Sequence, residues 1–228
     1  LKKLSTNKCQ GLPLTCYNRR MRNRDYKNFA QGMVMHIYNR GNNREKIFRD
    51  EQDCKAFLFR LGLCLGFTEE ELNKEKLISV PYSRIRITNV VKNNFRLHIF
   101  SLMPNHFHLL IEQSGDIPIS KLISQMCTSY SMYINKKYKR VGHVFQDCFK
   151  AVLIENNSQL MWTSAYIHMN AVKDGIVKHP SEYQWSSYND FTSERNLPIV
   201  TKELLLGTFG NKKNFIEQTL IYDVKDGL

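Results

Sequence analysis

Apolar and polar positions along this chain alternate with two periods, and the switches between them outline its elements. Met33 to Asn39 has the character of a strand, and the turn formers of Asn39-Arg40-Gly41-Asn42-Asn43-Arg44 end it. Asp50 is placed to cap a helix reaching about Leu65, in which Ala56, Phe57, Phe59, Leu61 and Leu63 recur at roughly helical spacing. Residues 66–94 are mixed: a charged helical stretch from Glu69 to Lys76 passes into the alternating, strand-like Arg84-Ile85-Arg86-Ile87-Thr88. Phe95 to Leu102 reads as a core strand. Met103-Pro104-Asn105 is too short for anything but a tight connection, so Phe95–Leu102 and His106–Glu112 are predicted to form an antiparallel hairpin.

Pro118 suits the first turn of a helix. Ile119, Leu122, Ile123, Met126, Tyr130, Tyr133 and Ile134 recur at spacings of three and four, carrying that helix to about Tyr138, and Gly142 breaks the pattern. Val144 to Glu155 is predicted as a strand, Asn157 as the N-cap of a further helix, and Gly175 as its C-terminal end. Trp162, Ala165, Met169 and Val172 form an apolar stripe on that helix, expected to pack on the sheet. Beyond Pro180 the pattern is mixed, with short helical stretches at Lys202–Leu206 and Phe215–Leu220. Strand, helix, paired strands, helix, strand, helix predicts an α+β fold: a ferredoxin-like or RNA-recognition-like antiparallel sheet packed with helices. It divides into an arm at 1–31, a main domain at 32–191 with 66–94 as an insertion, and a helical tail at 192–228.

Charge changes the picture at one end. The net charge is +12, and residues 1–31 hold eight Lys or Arg, among them Arg19, Arg20, Arg22 and Arg24, against the single acid Asp25. A basic arm ahead of a globular domain favours an anionic partner, nucleic acid above all, although a solvated tail has the same composition. The six cysteines show no Cys-x-x-Cys spacing, no stretch has the length of a transmembrane helix, and the basic N-terminus lacks the apolar core of a signal peptide. The expectation is a cytoplasmic protein with no membrane partner.

The candidate chemistry centres on His106 and His108. Two apart in a strand, they present their imidazoles on one face, a half-site for a divalent metal; the same pair also suits the wet face of an ordinary sheet. On the helix at 158–174, Tyr166 and Asn170 lie four apart and so are neighbours on one flank. A phenol is a poor nucleophile near neutrality, and a nearby cation lowers the cost of ionising it. Two imidazoles and an amide oxygen would leave octahedral positions for water and phosphate. Residue types alone leave Tyr130, Tyr133 and Tyr138 in competition with Tyr166. His36 reads as a structural strand histidine or as one facing the metal region, His98 as core-adjacent, His143 and His179 as surface loop residues, and His168 as rotated away from Tyr166 on the helix.

Four stretches, in order, resemble a known family. Leu102-Met103-Pro104-Asn105-His106-Phe107-His108-Leu109-Leu110 resembles the histidine-hydrophobic-histidine (HUH) motif of single-tyrosine transposases, most of all the REP-associated tyrosine transposases. His36-Ile37-Tyr38-Asn39-Arg40-Gly41, Tyr166 to Gly175, and Trp185-Ser186-Ser187-Tyr188 resemble three further motifs of that branch. The resemblance implies Tyr166 as the nucleophile on single-stranded DNA, a 5′-phosphotyrosine intermediate, and Mg²⁺ or Mn²⁺ held by His106, His108 and Asn170. It also implies cutting beside DNA hairpins, with Arg40, Arg44 and the basic arm as DNA contacts, by a monomer or homodimer. Two positions depart from the family pattern. Ala171 replaces the usual proline, which should loosen the helix end, and Asp147-Cys148 stands where Gly-Arg is expected. A domesticated, non-catalytic hairpin-binding protein and a metallohydrolase using metal-bound water are the alternative readings.

Overall fold

A computed structural model describes residues 29–74, 87 and 92–221. The arm residues Arg19, Arg20, Arg22 and Arg24, and the strand-like run at 84–88 apart from Ile87, lie outside the described residues. The elements run β1 (Val34–Arg40), α1 (Glu51–Leu65), α2 (Glu69–Lys74), β2 (Phe95–Met103), β3 (His106–Gln113), α3 (Ile119–Lys137), β4 (Lys150–Leu153), α4 (Asn157–Lys173), α5 (Tyr188–Thr192), α6 (Glu203–Phe209) and α7 (Lys212–Ile221). The sheet order is β2-β3-β1-β4 with every pairing antiparallel, the ferredoxin-like arrangement that the element order predicts.

Strand alternation divides the sheet into two chemically different faces. Met35, Ile37, Phe107, Leu109 and Ile111 are fully buried on one face. There α1 and α3 cover them; Phe57 meets Phe107 at 5.0 Å and Tyr130 at 5.1 Å between ring centroids. The opposite face presents His36, Tyr38 and Arg40 from β1 beside His106 and His108 from β3, because the register sets Tyr38 against His108 and Arg40 against His106. The helix α4 lies over this second face.

Local chemistry explains the ends of the elements. Asp50 caps α1 by accepting from the Asp53 amide, and Gly66 closes it in the left-handed region at φ 98°. Asn156, rather than the expected Asn157, caps α4, since its side chain is the one that accepts from the Gln159 amide. At the other end the Gly175 amide donates to Val172 and the Ile176 amide to Ala171, a Schellman closure. Ala171 therefore does not loosen the helix end: it is buried, and its carbonyl anchors the closure.

Two further expectations shift. The strand expected over 144–155 is only Lys150–Leu153. Residues 144–146 instead cross the end of β1, where the Asn42 amide donates to Val144 and the Gln146 amide to Arg40; the Asn39 side chain then takes the Asp147 carbonyl. The apolar stripe on α4 is also displaced. The deepest residues are Ser164, Ile167, His168 and Ala171, while Trp162 and Val172 are half-buried. The reason is that α4 is covered on two sides, by the sheet and by α7. Phe215 of α7 meets His168 at 5.5 Å and Phe191 at 4.8 Å, and Thr201 pairs its amide with Leu97 on the edge of β2. The C-terminal residues thus back the helix that carries Tyr166.

Candidate metal and tyrosine site

The β3 strand begins immediately after the Pro104-Asn105 turn, so His106 sits at the sheet's rim and His108 one pleat further in. The first is half-buried and the second buried. Their ring centroids are 5.0 Å apart with planes at 88°. Tyr166 reaches down from α4 to within 5.5 Å of the His108 ring and 6.1 Å of His36. One turn further along α4, buried Asn170 turns its carboxamide to both His106 and Tyr166, favouring a protonated imidazole on one side and an ionised phenol on the other. The pair of histidines, the tyrosine and the asparagine come together as the sequence predicts.

The electrostatics suit a cation. Burial pushes His36 down to about 3 and His108 well below the ordinary histidine value, with repulsion from His36, His106 and Arg40 adding to the second shift. His106 is also lowered, by burial first, against the opposing influence of Asp174 and Asn170. All three rings are therefore neutral near pH 7, the form that ligates metal. Burial raises Tyr166 above the ordinary phenol value, Asn170 and Arg40 oppose that, and Tyr38 and Asp174 add to it. The resting phenol keeps its proton.

Mg²⁺ or Mn²⁺ fits this residue set on one structural ground besides the imidazoles. Asn170 Nδ2 is buried with no hydrogen-bond partner, so the carboxamide keeps unused polar capacity beside the two imidazoles. Among the described residues no three His, Cys, Asp or Glu side chains form a metal cage. A cation held here would meet two imidazoles and a carboxamide, a sparse set that leaves octahedral positions for other ligands.

Arg40 and Arg44 are exposed at the rim. Arg40, paired across the ladder with His106, makes its charge felt at His106, His108 and Tyr166. Asp147 and Cys148 are exposed on the loop that crosses the same strand end. The competing tyrosines are elsewhere: Tyr130 and Tyr133 on α3 and Tyr138 at its C-terminal cap lie under the opposite face, where Tyr133 and Tyr138 donate to Asp53.

Tyr38, Trp162 and Lys173 escaped sequence reasoning, and of the two readings of His36 the structure favours the one beside the histidine pair. His36 lies within 2.9 Å of His108, nitrogen to nitrogen, and Tyr38 stands 5.7 Å from the His108 ring. The alternation His36, Tyr38, Arg40 was the available signal, but it needed the β1–β3 register to place it. Trp162 stacks on the Tyr166 ring at 5.4 Å with planes 3° apart, and the Lys173 ammonium stands over that ring at 5.7 Å. The spacings of four and seven along α4 already put both residues near Tyr166.

The chain is thus an α+β protein with a four-stranded ferredoxin-like sheet, a histidine pair on the face beneath α4 and a helix-borne tyrosine above the pair. Residues 68–170 match the family described as "Transposase IS200 like". A solved structure described as a REP-associated tyrosine transposase bound to a REP hairpin is similar over 70% of this chain and 78% of its own, at 16% sequence identity and a TM-score of 0.49. No curated protein sequence matches the chain. Among the described residues no helix is long and apolar enough to cross a membrane.

Proposed function

We propose that this protein cuts and rejoins single-stranded DNA beside hairpins, with Tyr166 as nucleophile, in the manner of the REP-associated branch. The observation that carries this reading is the convergence of Tyr166 and Asn170 from α4 on His106 and His108 from β3. A cation held by His106, His108 and Asn170 would polarise the scissile phosphate and screen its charge. The Tyr166 hydroxyl oxygen attacks phosphorus, the bond from phosphorus to the 3′ oxygen breaks, and the strand leaves with a free 3′-hydroxyl. The phenolic proton passes to solvent, and the departing oxygen takes one up. Attack by a second 3′-hydroxyl on the 5′-phosphotyrosine rejoins DNA and restores the phenol, so no external energy source is needed. Asn170 steadies the developing phenolate, Trp162 holds the ring plane, and Arg40 neutralises phosphate charge at the rim. The basic arm and Arg44 extend the contact along the strand.

The test incubates the protein with hairpin-bearing single-stranded DNA and Mn²⁺, and resolves the products on a denaturing gel. The reading predicts cleaved DNA together with a protein–DNA adduct, both lost on chelation. Binding without cleavage would identify a non-catalytic hairpin-binding protein, for which the Cys148 departure speaks. Cleavage without an adduct would identify a metallohydrolase.

A further inference from the structure

A neutral imidazole has one lone pair, and it presents that pair to a cation only from the nitrogen that carries no proton. Which nitrogen that is depends on what the other one meets. In both candidate ligands Nδ1 is already engaged. His106 Nδ1 lies 2.6 Å from Asn105 Oδ1. The same carboxamide donates its Nδ2 to the Arg44 carbonyl at 3.4 Å, so its oxygen is the atom left for the imidazole, and His106 Nδ1 must donate. His108 Nδ1 lies 2.9 Å from His36 Nε2, between two buried rings whose centroids are 5.1 Å apart.

We infer that His36 and Asn105 are positioning residues, which hold His108 and His106 as Nδ1–H tautomers so that both Nε2 atoms face a divalent cation. The inference rests on the reading that this pair binds metal. The two partners come from outside the pair itself. His36 is supplied by the neighbouring strand β1, and Asn105 by the turn that starts β3. They act at different depths, His36 in the interior and Asn105 at the rim, so each ring is fixed independently. Were His36 the donor instead, neutral His108 would carry its proton on Nε2 and could not ligate.

The first measurement is a long-range ¹H–¹⁵N correlation spectrum of the metal-free, full-length protein at pH 7.5. It should show His106 and His108 protonated at Nδ1 and bare at Nε2. A proton on Nε2 of His108 overturns the assignment of His36, and one on Nε2 of His106 overturns that of Asn105. The second is Mn²⁺ titration followed by the EPR signal of the free ion. His36→Phe and Asn105→Leu should each bind roughly 10–100-fold more weakly than wild type. His36→Gln and Asn105→Asp, which keep an acceptor, should recover much of the loss. Wild-type binding with unchanged affinity in His36→Phe and Asn105→Leu overturns the positioning role alone. Wild-type protein that does not bind Mn²⁺ overturns the metal site itself. Where a variant fails to fold, the wild-type tautomers decide the matter.

Discussion

Lowering the pH should unfold this protein well before its carboxylates are titrated, because three histidines are buried in their neutral form. His36 and His168 are fully buried and pushed down to about 3, and His108, only 4% exposed, is held well below its ordinary value. In the unfolded chain each would titrate near 6.5. Below that pH the unfolded state binds protons that the folded state refuses. Stability is therefore complete above about pH 6.5 and falls as the pH drops toward the folded values. The slope is about 1.4 kcal/mol per pH unit for each group, so His36 and His168 each lose about 2 kcal/mol by pH 5, about 4 kcal/mol together, and His108 acts in the same direction. That is a large share of the whole stability of an ordinary domain, about 5–15 kcal/mol. Urea denaturation followed by circular dichroism at pH 7.5, 6.5, 5.5 and 5.0 reads this directly. Replacing His168 by Gln, which can still reach Ser187, should remove about 2 kcal/mol of the loss between pH 6.5 and 5. A stability that stays flat from pH 7.5 to 5 would refute the reasoning.

Other consequences concern the framework and the nucleophile. Asp53 is fully buried and accepts from the Arg49 amide, Lys137, Tyr133 and Tyr138, tying the start of α1 to the end of α3. Asp53→Ala should cost about 3–5 kcal/mol in chemical denaturation, yet leave adduct formation per folded molecule unchanged, since the cluster lies under the other face of the sheet. Trp162→Ala removes the stack on Tyr166, worth about 0.5–1.5 kcal/mol. It should slow adduct formation up to about tenfold, leave Mn²⁺ affinity alone, and be largely rescued by Trp162→Phe. A Mn²⁺ affinity that falls in step with the rate would show that Trp162 acts on the metal ligands instead.

Local periodicity carried most of the fold because the decisive signals were local. The Pro104-Asn105 turn joins two runs that read as strands, so the hairpin and the shared face of His106 and His108 follow from sequence. Tyr166 and Asn170 are neighbours by helical geometry alone. What the sequence could not supply was pairing at long range. Tyr38 meets His108 across a gap of seventy residues, and without that register His36 looks like one more strand histidine. The buried side of α4 was misread for a related reason. An apolar stripe marks the buried face when a helix packs on one neighbour, but α4 packs on two, and buried His168 faces the second. The strand expected at 144–155 was too long because its first half satisfies its backbone across the end of β1, a contact that apolar character cannot distinguish from a ladder.

The proposed function stands or falls on one covalent bond, between Tyr166 and DNA. Its most direct measurement is peptide mass spectrometry of the adduct trapped with hairpin-bearing single-stranded DNA and Mn²⁺, after nuclease and protease digestion. The account predicts a nucleotide phosphate on the peptide containing Tyr166 and none on peptides containing Tyr38, Tyr130, Tyr133 or Tyr138. It also predicts no adduct from Tyr166→Phe, which should still bind the DNA. A phosphorylated peptide from any other tyrosine, or an adduct that survives in Tyr166→Phe, would contradict it.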